Sequence, residues 1–405
     1  EMTSSLVGSE MCIRDRFVIG YTNEFQNMYF KKDVFLMPYY ISKELGLSLK
    51  YYWGCNNGAE DIPLEYRFVN IEGFHGKREM ISKFQILCDL LRILLIHRKQ
   101  IHTLFLVHLS LPIIIITLLF KWYNPKGHIV IMGDMEENVA ADLASHEFVY
   151  SQGIKGIVKK WMINSFFCKV DLFTVGTISV EQILRNLFDR KGWKCLNRCH
   201  PCLDKETFDN LGLSEISYKE KENLIISVGR FGSYQKNTDM MLDAFEKIDL
   251  KNWKVRLIGP ITDSFATNTV SKYTERIEAF YKKRPDLRKK VEFTGIIHNS
   301  KFIYENYLCA KVFLLTSRHE GFANVLSDAA ALGCFIVSTD VGGAKEVSNN
   351  WKFGIELNQE DSSGLAKVLQ NIVDGKLVPN PKDRCSLNKL EWSAMVRNNV
   401  LPYLA

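Results

Sequence analysis

A chain of 405 residues, 46% hydrophobic and 24% charged, is long enough for two folded domains, and its composition excludes a disordered chain or a small disulfide-stapled one. Its net charge of +6 suits an anionic ligand or an anionic membrane surface, but it lacks the dense basic runs of a dedicated nucleic-acid binder. The ten cysteines are scattered, which points to reduced thiols and a cytoplasmic setting.

The N-terminus opens on "LVGSEMCIRD", Leu6 to Asp15, which resembles the translated end of a transposon adapter used to make sequencing libraries. Residues 1–16 are therefore expected to be a non-native extension, and fold reasoning begins at Phe17. From there a strand, "FVIGY", precedes a polar loop and helices, and further strands are expected at Tyr66–Ile71, Leu104–His108, His128–Met132 and Leu172–Val175. "KFQILCDLLRILLIHRK", Lys83 to Lys99, reads as a helix with a wide apolar face and basic residues near its end. Core packing is its expected use and a membrane surface the alternative. "LFLVHLSLPIIIITLLF", Leu104 to Phe120, is short for a membrane span. It divides better into a buried strand and a helix begun by Pro112, with His108 read as a core histidine. "CLNRCHPC" holds Cys195, Cys199, His200 and Cys202 at a spacing too cramped for a zinc site, so no metal is expected there.

The polar stretch Leu211 to Asn223 is the expected linker. Beyond it the strands "NLIISVG", "KVRLIG", "VEFTG", "KVFLLT" and "CFIVST" alternate with helical patterns, the signature of parallel strands with crossover helices. The boundaries are set at residues 17–205 for an N-terminal domain, 206–222 for the linker and 223–385 for a C-terminal domain. A helical tail, 386–405, is expected to pack back on the first domain. Ligands of such sheets bind beyond the carboxyl ends of the strands.

Two stretches carry chemistry. "SVGRFGSYQKNTD" leaves a strand and enters a helix near Thr238, with Arg230 and Lys236 on the loop between. A planar guanidinium, a mobile ammonium and a helix N-terminus together form an anion site. "SRHEGFANVLSDAAALG" does the same with acids: Glu320 ends the strand loop, Gly321 lets a ligand approach, and the following amides point outward. Asp328 lies seven residues past Gly321, nearly two helical turns, and so returns to almost the same face about 10 Å further along. The pair would accept hydroxyls flanking a diphosphate. "HIVIMGDMEEN" places Asp134 just after a strand of the first domain.

These residues, with "RLIGP", "FTG" and "STDVGGAKEV", resemble the retaining glycosyltransferases of family four, strongly from Asn223 to about Gly354 and mainly in strand order before Asp204. The resemblance implies the GT-B fold: α/β, two facing Rossmann-like domains with a cleft between them. It implies that Arg230 and Lys236 bind the nucleotide diphosphate, that Glu320 contacts the transferred sugar, and that Gly321 and the amides of Phe322, Ala323, Asn324 and Val325 hold donor sugar and phosphate. Asp328 would hold the ribose hydroxyls where the family normally has Glu, and Asp134 would stand beside the reacting sugar. No cofactor or metal is implied, only a nucleotide-diphosphate sugar as donor and a glycan or lipid-linked glycan as acceptor. The usual setting is bacterial surface-polysaccharide assembly, cytoplasmic or peripheral on the inner face of the plasma membrane. The rival readings are a GT-B epimerase or phosphorylase, and a non-catalytic sugar-nucleotide sensor. "DME" also reads as a metal-binding acid pair, Asp134 and Glu136, against which the second-half motifs argue.

Overall fold

The computed structural model describes residues 16–58, 60–262 and 272–405. The adapter-like stretch lies, up to residue 15, outside the described residues. The chain divides into two units, one ending at His200 and regaining Trp392–Ala405, the other running from Pro201 to Glu391.

Among the described residues the first unit is built on eight strands: β1 Phe17–Glu24, β2 Ser48–Cys55, β3 Glu65–Tyr66, β4 Val69–Gly73, β5 Ile101–Val107, β6 His128–Met132, β7 Leu172–Val175 and β8 Leu196–Arg198. They lie in the order β3-β4-β2-β1-β5-β6-β7-β8, and every pairing is parallel except β3 with β4. The single strand expected at Tyr66–Ile71 is thus a hairpin, turned by Arg67 and Phe68, both with positive φ. Six helices join these strands: α1 Asp33–Leu45, α2 Lys83–His97, α3 Leu111–Tyr123, α4 Glu137–Ser145, α5 Gly153–Phe167 and α6 Ile178–Lys191. The local signals act as the sequence suggests. In α6 the Thr177 hydroxyl accepts from the Val180 amide at 3.2 Å, and Gly192 ends the helix in the left-handed region.

The second unit has one all-parallel sheet of β9 Glu222–Val228, β10 Lys254–Ile258, β11 Val291–Gly295, β12 Ala310–Leu315, β13 Phe335–Thr339 and β14 Gly354–Leu357, ordered β11-β10-β9-β12-β13-β14. Its helices are α7 Lys205–Asn210, α8 Thr238–Phe245, α9 Tyr273–Lys283, α10 Ser300–Cys309, α11 Asn324–Ala331, α12 Ala344–Val347 and α13 Ser362–Val373. Apolar clusters cover both faces, as a parallel sheet requires. Strand order reverses between β9 and β12 here, and between β1 and β5 in the first unit. These are the switch points at which open α/β sheets leave room for a ligand.

The stretch 206–222 is not a free linker. α7 starts on an Asp204 cap, and the chain crosses between units at His200–Pro201 instead. Lys221, within the stretch expected as a linker, is buried, and its ammonium donates to the carbonyls of Tyr307 at 3.1 Å, Leu308 at 2.5 Å and Leu332 at 2.8 Å. Those carbonyls end α10 and follow α11, so one cation caps the negative ends of two helices. On the last segment, α14 Trp392–Asn399 stacks Trp392 on Tyr40 of α1, 6.4 Å between ring centres. Lys221→Met should lower unfolding free energy by about 2–3 kcal/mol, because three buried carbonyls lose a charged donor. Chemical denaturation of both proteins measures it, and equal midpoints and slopes would show the cap to be unimportant.

Candidate functional site

The loops after β9 and β12 meet at the switch point of the second sheet. β9 gives way to Gly229, Arg230 and a turn that ends at Asn237, whose left-handed backbone (φ 46°) starts α8. This turn is fixed from beneath. Thr316, just past β12, donates its hydroxyl to the carbonyls of Lys236 and Asn237, both at 3.0 Å. Arg318 donates to the Tyr234 carbonyl at 2.6 Å and to Asn237 Oδ1 at 3.0 Å, and lies 4.3 Å from the centre of the Tyr234 ring.

Across that junction Lys236 Nζ stands 2.6 Å from Glu320 Oε1, with the two side chains 14% and 10% exposed. The Ser317 hydroxyl donates to the same oxygen at 2.7 Å, and Gln235 Nε2 donates to Oε2 at 3.0 Å. Gln235 in turn accepts from Arg230 at 3.2 Å, so Arg230, Gln235, Glu320 and Lys236 form one connected chain of polar contacts. The Lys236 stem lies along Gly229, where an added Cβ would stand 3.3 Å from Lys236 Cε.

Behind Glu320 the backbone runs through Gly321, Phe322 and Ala323 into α11. The first turn of α11 has no side-chain cap, since its N-cap residue is Ala323. Its amides face the position where an anion gains from the helix dipole. The loop is seated on Gly342: a Cβ there would come within 1.9 Å of the Gly321 carbonyl oxygen and 2.7 Å of that of Glu320. Ala323 donates its amide back to the Gly342 carbonyl at 3.2 Å. The "VGG" of the sequence motif is therefore the floor of the acid loop.

Asp328 sits on α11 in a setting the sequence did not disclose. Its neighbour Ser327 donates to the Pro201 carbonyl at 2.6 Å, which draws the start of the second unit against this helix and brings Asp204 close. Burial first, and the Asp204 charge second, push the Asp328 carboxyl up to about 7. No motif could have revealed this, because the neighbouring carboxylates are separated by more than a hundred residues of chain.

Asp134 belongs to the first unit, exposed in the turn between β6 and α4. It helps burial to raise Asp33, at the start of α1, to about 6, burial being the larger cause. His108 corrects the sequence reading. It is not in the core but exposed just past β5 beside the β1/β5 switch point, with φ 61° and its amide donating to the Met132 carbonyl at 2.8 Å. The structure thus gathers Arg230, Lys236, Glu320 and residues 321–325 at one edge of the second sheet, with Asp328 further along α11. Asp134, His108 and Asp33 stand at the corresponding edge of the first. Sequence reading missed Gln235, Ser317 and Arg318, although all three lie inside its own motifs. The "CLNRCHPC" cysteines are buried, and Cys195 donates to the Phe167 carbonyl at 3.5 Å. Among the described residues no cluster of His, Cys, Asp or Glu is arranged to hold a metal ion.

The chain is similar to known proteins in sequence and in fold. Residues 214–390 match the family model described as Glycosyl transferases group 1. The chain is 26% identical over 263 residues to the N-acetylgalactosamine-N,N'-diacetylbacillosaminyl-diphospho-undecaprenol 4-alpha-N-acetylgalactosaminyltransferase of Campylobacter jejuni, covering 62% of this chain and 67% of that one. It is 26% identical over 210 residues to the capsular polysaccharide biosynthesis glycosyltransferase CapH of Staphylococcus aureus, covering 49% and 53%. Among solved structures, sucrose-phosphate synthase from Thermosynechococcus elongatus shares the fold with a TM-score of 0.57 at 16% identity, over 97% of this chain and 94% of that one.

The raised Asp328 carboxyl has a consequence for stability. In the unfolded chain it ionises near 4, in the folded protein near 7. The folded state therefore holds a proton that the unfolded state has released, and stability contributed below pH 4 is lost as pH rises towards 7. Asp328→Asn should raise unfolding free energy by about 1–3 kcal/mol at pH 8 and leave it unchanged at pH 4. Denaturant titrations at the two pH values measure the difference, and an equal effect at both would contradict the assignment.

Proposed function

We propose that this chain, whose residues 214–390 match the family model for glycosyl transferases group 1, transfers a sugar from a nucleotide-diphosphate donor to a hydroxyl acceptor with retention of anomeric configuration. The observation that carries the proposal is the meeting of Lys236 and Glu320 at a sheet switch point, beside the uncapped start of α11. That edge offers a cation for a diphosphate, backbone amides for its remaining oxygens, and a carboxylate for sugar hydroxyls.

In this reading Arg230, Lys236 and the α11 amides stabilise charge on the departing diphosphate, where fixed positive groups act most strongly in the transition state. Glu320, held by Ser317 and Gln235, accepts from hydroxyls of the transferred sugar. Asp328 takes the ribose hydroxyls, which also relieves an acid that burial has made reluctant to ionise. The attacking acceptor hydroxyl passes its proton to a phosphate oxygen. The first unit supplies the acceptor-binding edge, with His108 and Asp134 as its polar groups. The relatives named for a diphospho-undecaprenol substrate and for capsular polysaccharide support a lipid-linked or polymeric glycan as acceptor, in surface polysaccharide assembly. Fixed cations do the work of a metal.

The alternative is a sugar-nucleotide sensor that binds the same donor and transfers nothing. Release of nucleoside diphosphate from a panel of sugar nucleotides, with glycan and lipid-linked acceptors, separates the two. Acceptor-dependent release with an axial-to-axial or equatorial-to-equatorial product bond supports the transferase. Binding without release supports the sensor.

Lys236→Ala should cut turnover by about 10²–10³ while the fold survives, the size expected for one oriented group opposite developing charge. Activity should persist in excess chelator. Near-normal turnover in folded Lys236→Ala would reject the donor-site assignment, and an absolute divalent requirement would redirect attention to Asp134 and Glu136.

A further inference from the structure

A third loop, the one after β14, reaches the strand edge where the loops of Lys236 and Glu320 meet. Gln359 Nε2 donates to the carbonyls of Ser317 at 3.2 Å and Arg318 at 3.4 Å. The next residue, Glu360, holds the Arg318 guanidinium with both carboxylate oxygens. Arg318 Nε donates to Oε1 at 2.6 Å, and Nη2 donates to Oε2 at 3.2 Å. Asp361 then caps α13, its Oδ1 accepting from the Gly364 amide at 2.7 Å.

The same guanidinium grips the turn that carries Lys236. Nη1 donates to the Tyr234 carbonyl at 2.6 Å, and Nη2 also donates to Asn237 Oδ1 at 3.0 Å. The Arg318 backbone amide adds a bond to the Gln235 carbonyl at 2.7 Å. Tyr234, Gln235 and Asn237 are thus all tied to one residue, with Lys236 held among them. Four of the five guanidinium N–H groups are engaged within the protein, which commits Arg318 to the turn rather than to a phosphate. Only a planar fork can meet a carboxylate by two bonds and two further acceptors at fixed angles; an ammonium on a flexible stem cannot.

The arrangement is unfavourable for Glu360 itself. Its backbone lies in the left-handed region, at φ 59°, where the Cβ of any residue but glycine crowds the following carbonyl. The ion pair does little to offset that strain, because the Glu360 side chain is 58% exposed and exposed pairs contribute little stability. Strain held beside a site, without a return in stability, points to a role in function.

We propose that Arg318 and Glu360 are positioning residues: braced by Glu360, Arg318 sets the 234–237 turn so that Lys236 and Arg230 meet the donor diphosphate. This role rests on the transferase reading, which supplies the diphosphate.

The test uses the full chain and three variants. Arg318→Lys keeps the charge and removes the fork. Glu360→Gly removes the carboxylate and suits the left-handed backbone, and Glu360→Gln keeps one acceptor. In the ligand-free protein the Lys236 and Asn237 amides donate to the Ser233 and Tyr234 carbonyls at 3.2 and 3.3 Å. Their hydrogen exchange should quicken several-fold in Arg318→Lys and Glu360→Gly, while amides of β9 and the thermal melts stay as in the parent. Calorimetry with UDP, GDP, ADP and dTDP then reads the site. The diphosphate that the parent binds best should bind Arg318→Lys about tenfold more weakly. It should bind Glu360→Gly about threefold more weakly, with Glu360→Gln between that variant and the parent. The matching free nucleoside should bind all four proteins alike.

Unchanged exchange in the turn, or equal diphosphate affinity in folded variants, overturns the positioning role and leaves the donor site standing. A loss shared equally by the nucleoside marks general damage to the site and also overturns it. If Arg318→Lys melts well below the parent, the two Glu360 variants, which alter an exposed side chain, decide the matter. A parent that binds none of the four diphosphates rejects the donor reading, and the proposal falls with it.

Discussion

The contact between Lys236 and Glu320 ties together the two loops that meet at the switch point of the second sheet. Two opposite charges, both mostly removed from water, hold together loops that leave different strands. A desolvated pair of this kind is a poor source of net stability, because the cost of leaving water cancels much of the attraction. What it provides is position. The carboxylate holds the ammonium over Gly229, and the ammonium holds the carboxylate at the mouth of α11. Thr316, Arg318 and Gly342 make that arrangement the one the backbone allows.

The same constraint explains why the second half of the chain was easy to read. In a parallel sheet every strand finishes at the same edge, so residues just past the strands converge whatever their sequence distance. "VGR", "HEG" and "VGG" are each ordinary, but each follows a strand of the unit. The order β10-β9-β12-β13 sets two of them side by side and lays the third beneath. Short apolar runs and glycine punctuation announced those strands, and their neighbours followed from the doubly wound topology.

The residues whose surroundings were not legible in the sequence owe them to long-range packing. Lys221 looked like one charge among many on a polar stretch, yet its ammonium ends two helices that arrive about ninety residues later or more. Asp328 was read as the acid for ribose hydroxyls, and no local motif announced that the chain around Pro201 folds onto α11 and places another carboxylate near it. His108 erred in the other direction: the apolar run around it suggested a core, while the strand ends one residue earlier and turns the imidazole out to solvent.

Hydrogen exchange of backbone amides, with and without a panel of nucleoside diphosphates and sugar nucleotides, tests the central claim most directly. If the diphosphate rests between the Arg230–Lys236 turn and the start of α11, amides in residues 229–238 and 320–326 should slow on adding the matching nucleotide, and not on adding the free nucleoside. Protection confined to other strand ends, with those two segments unchanged, would contradict the account.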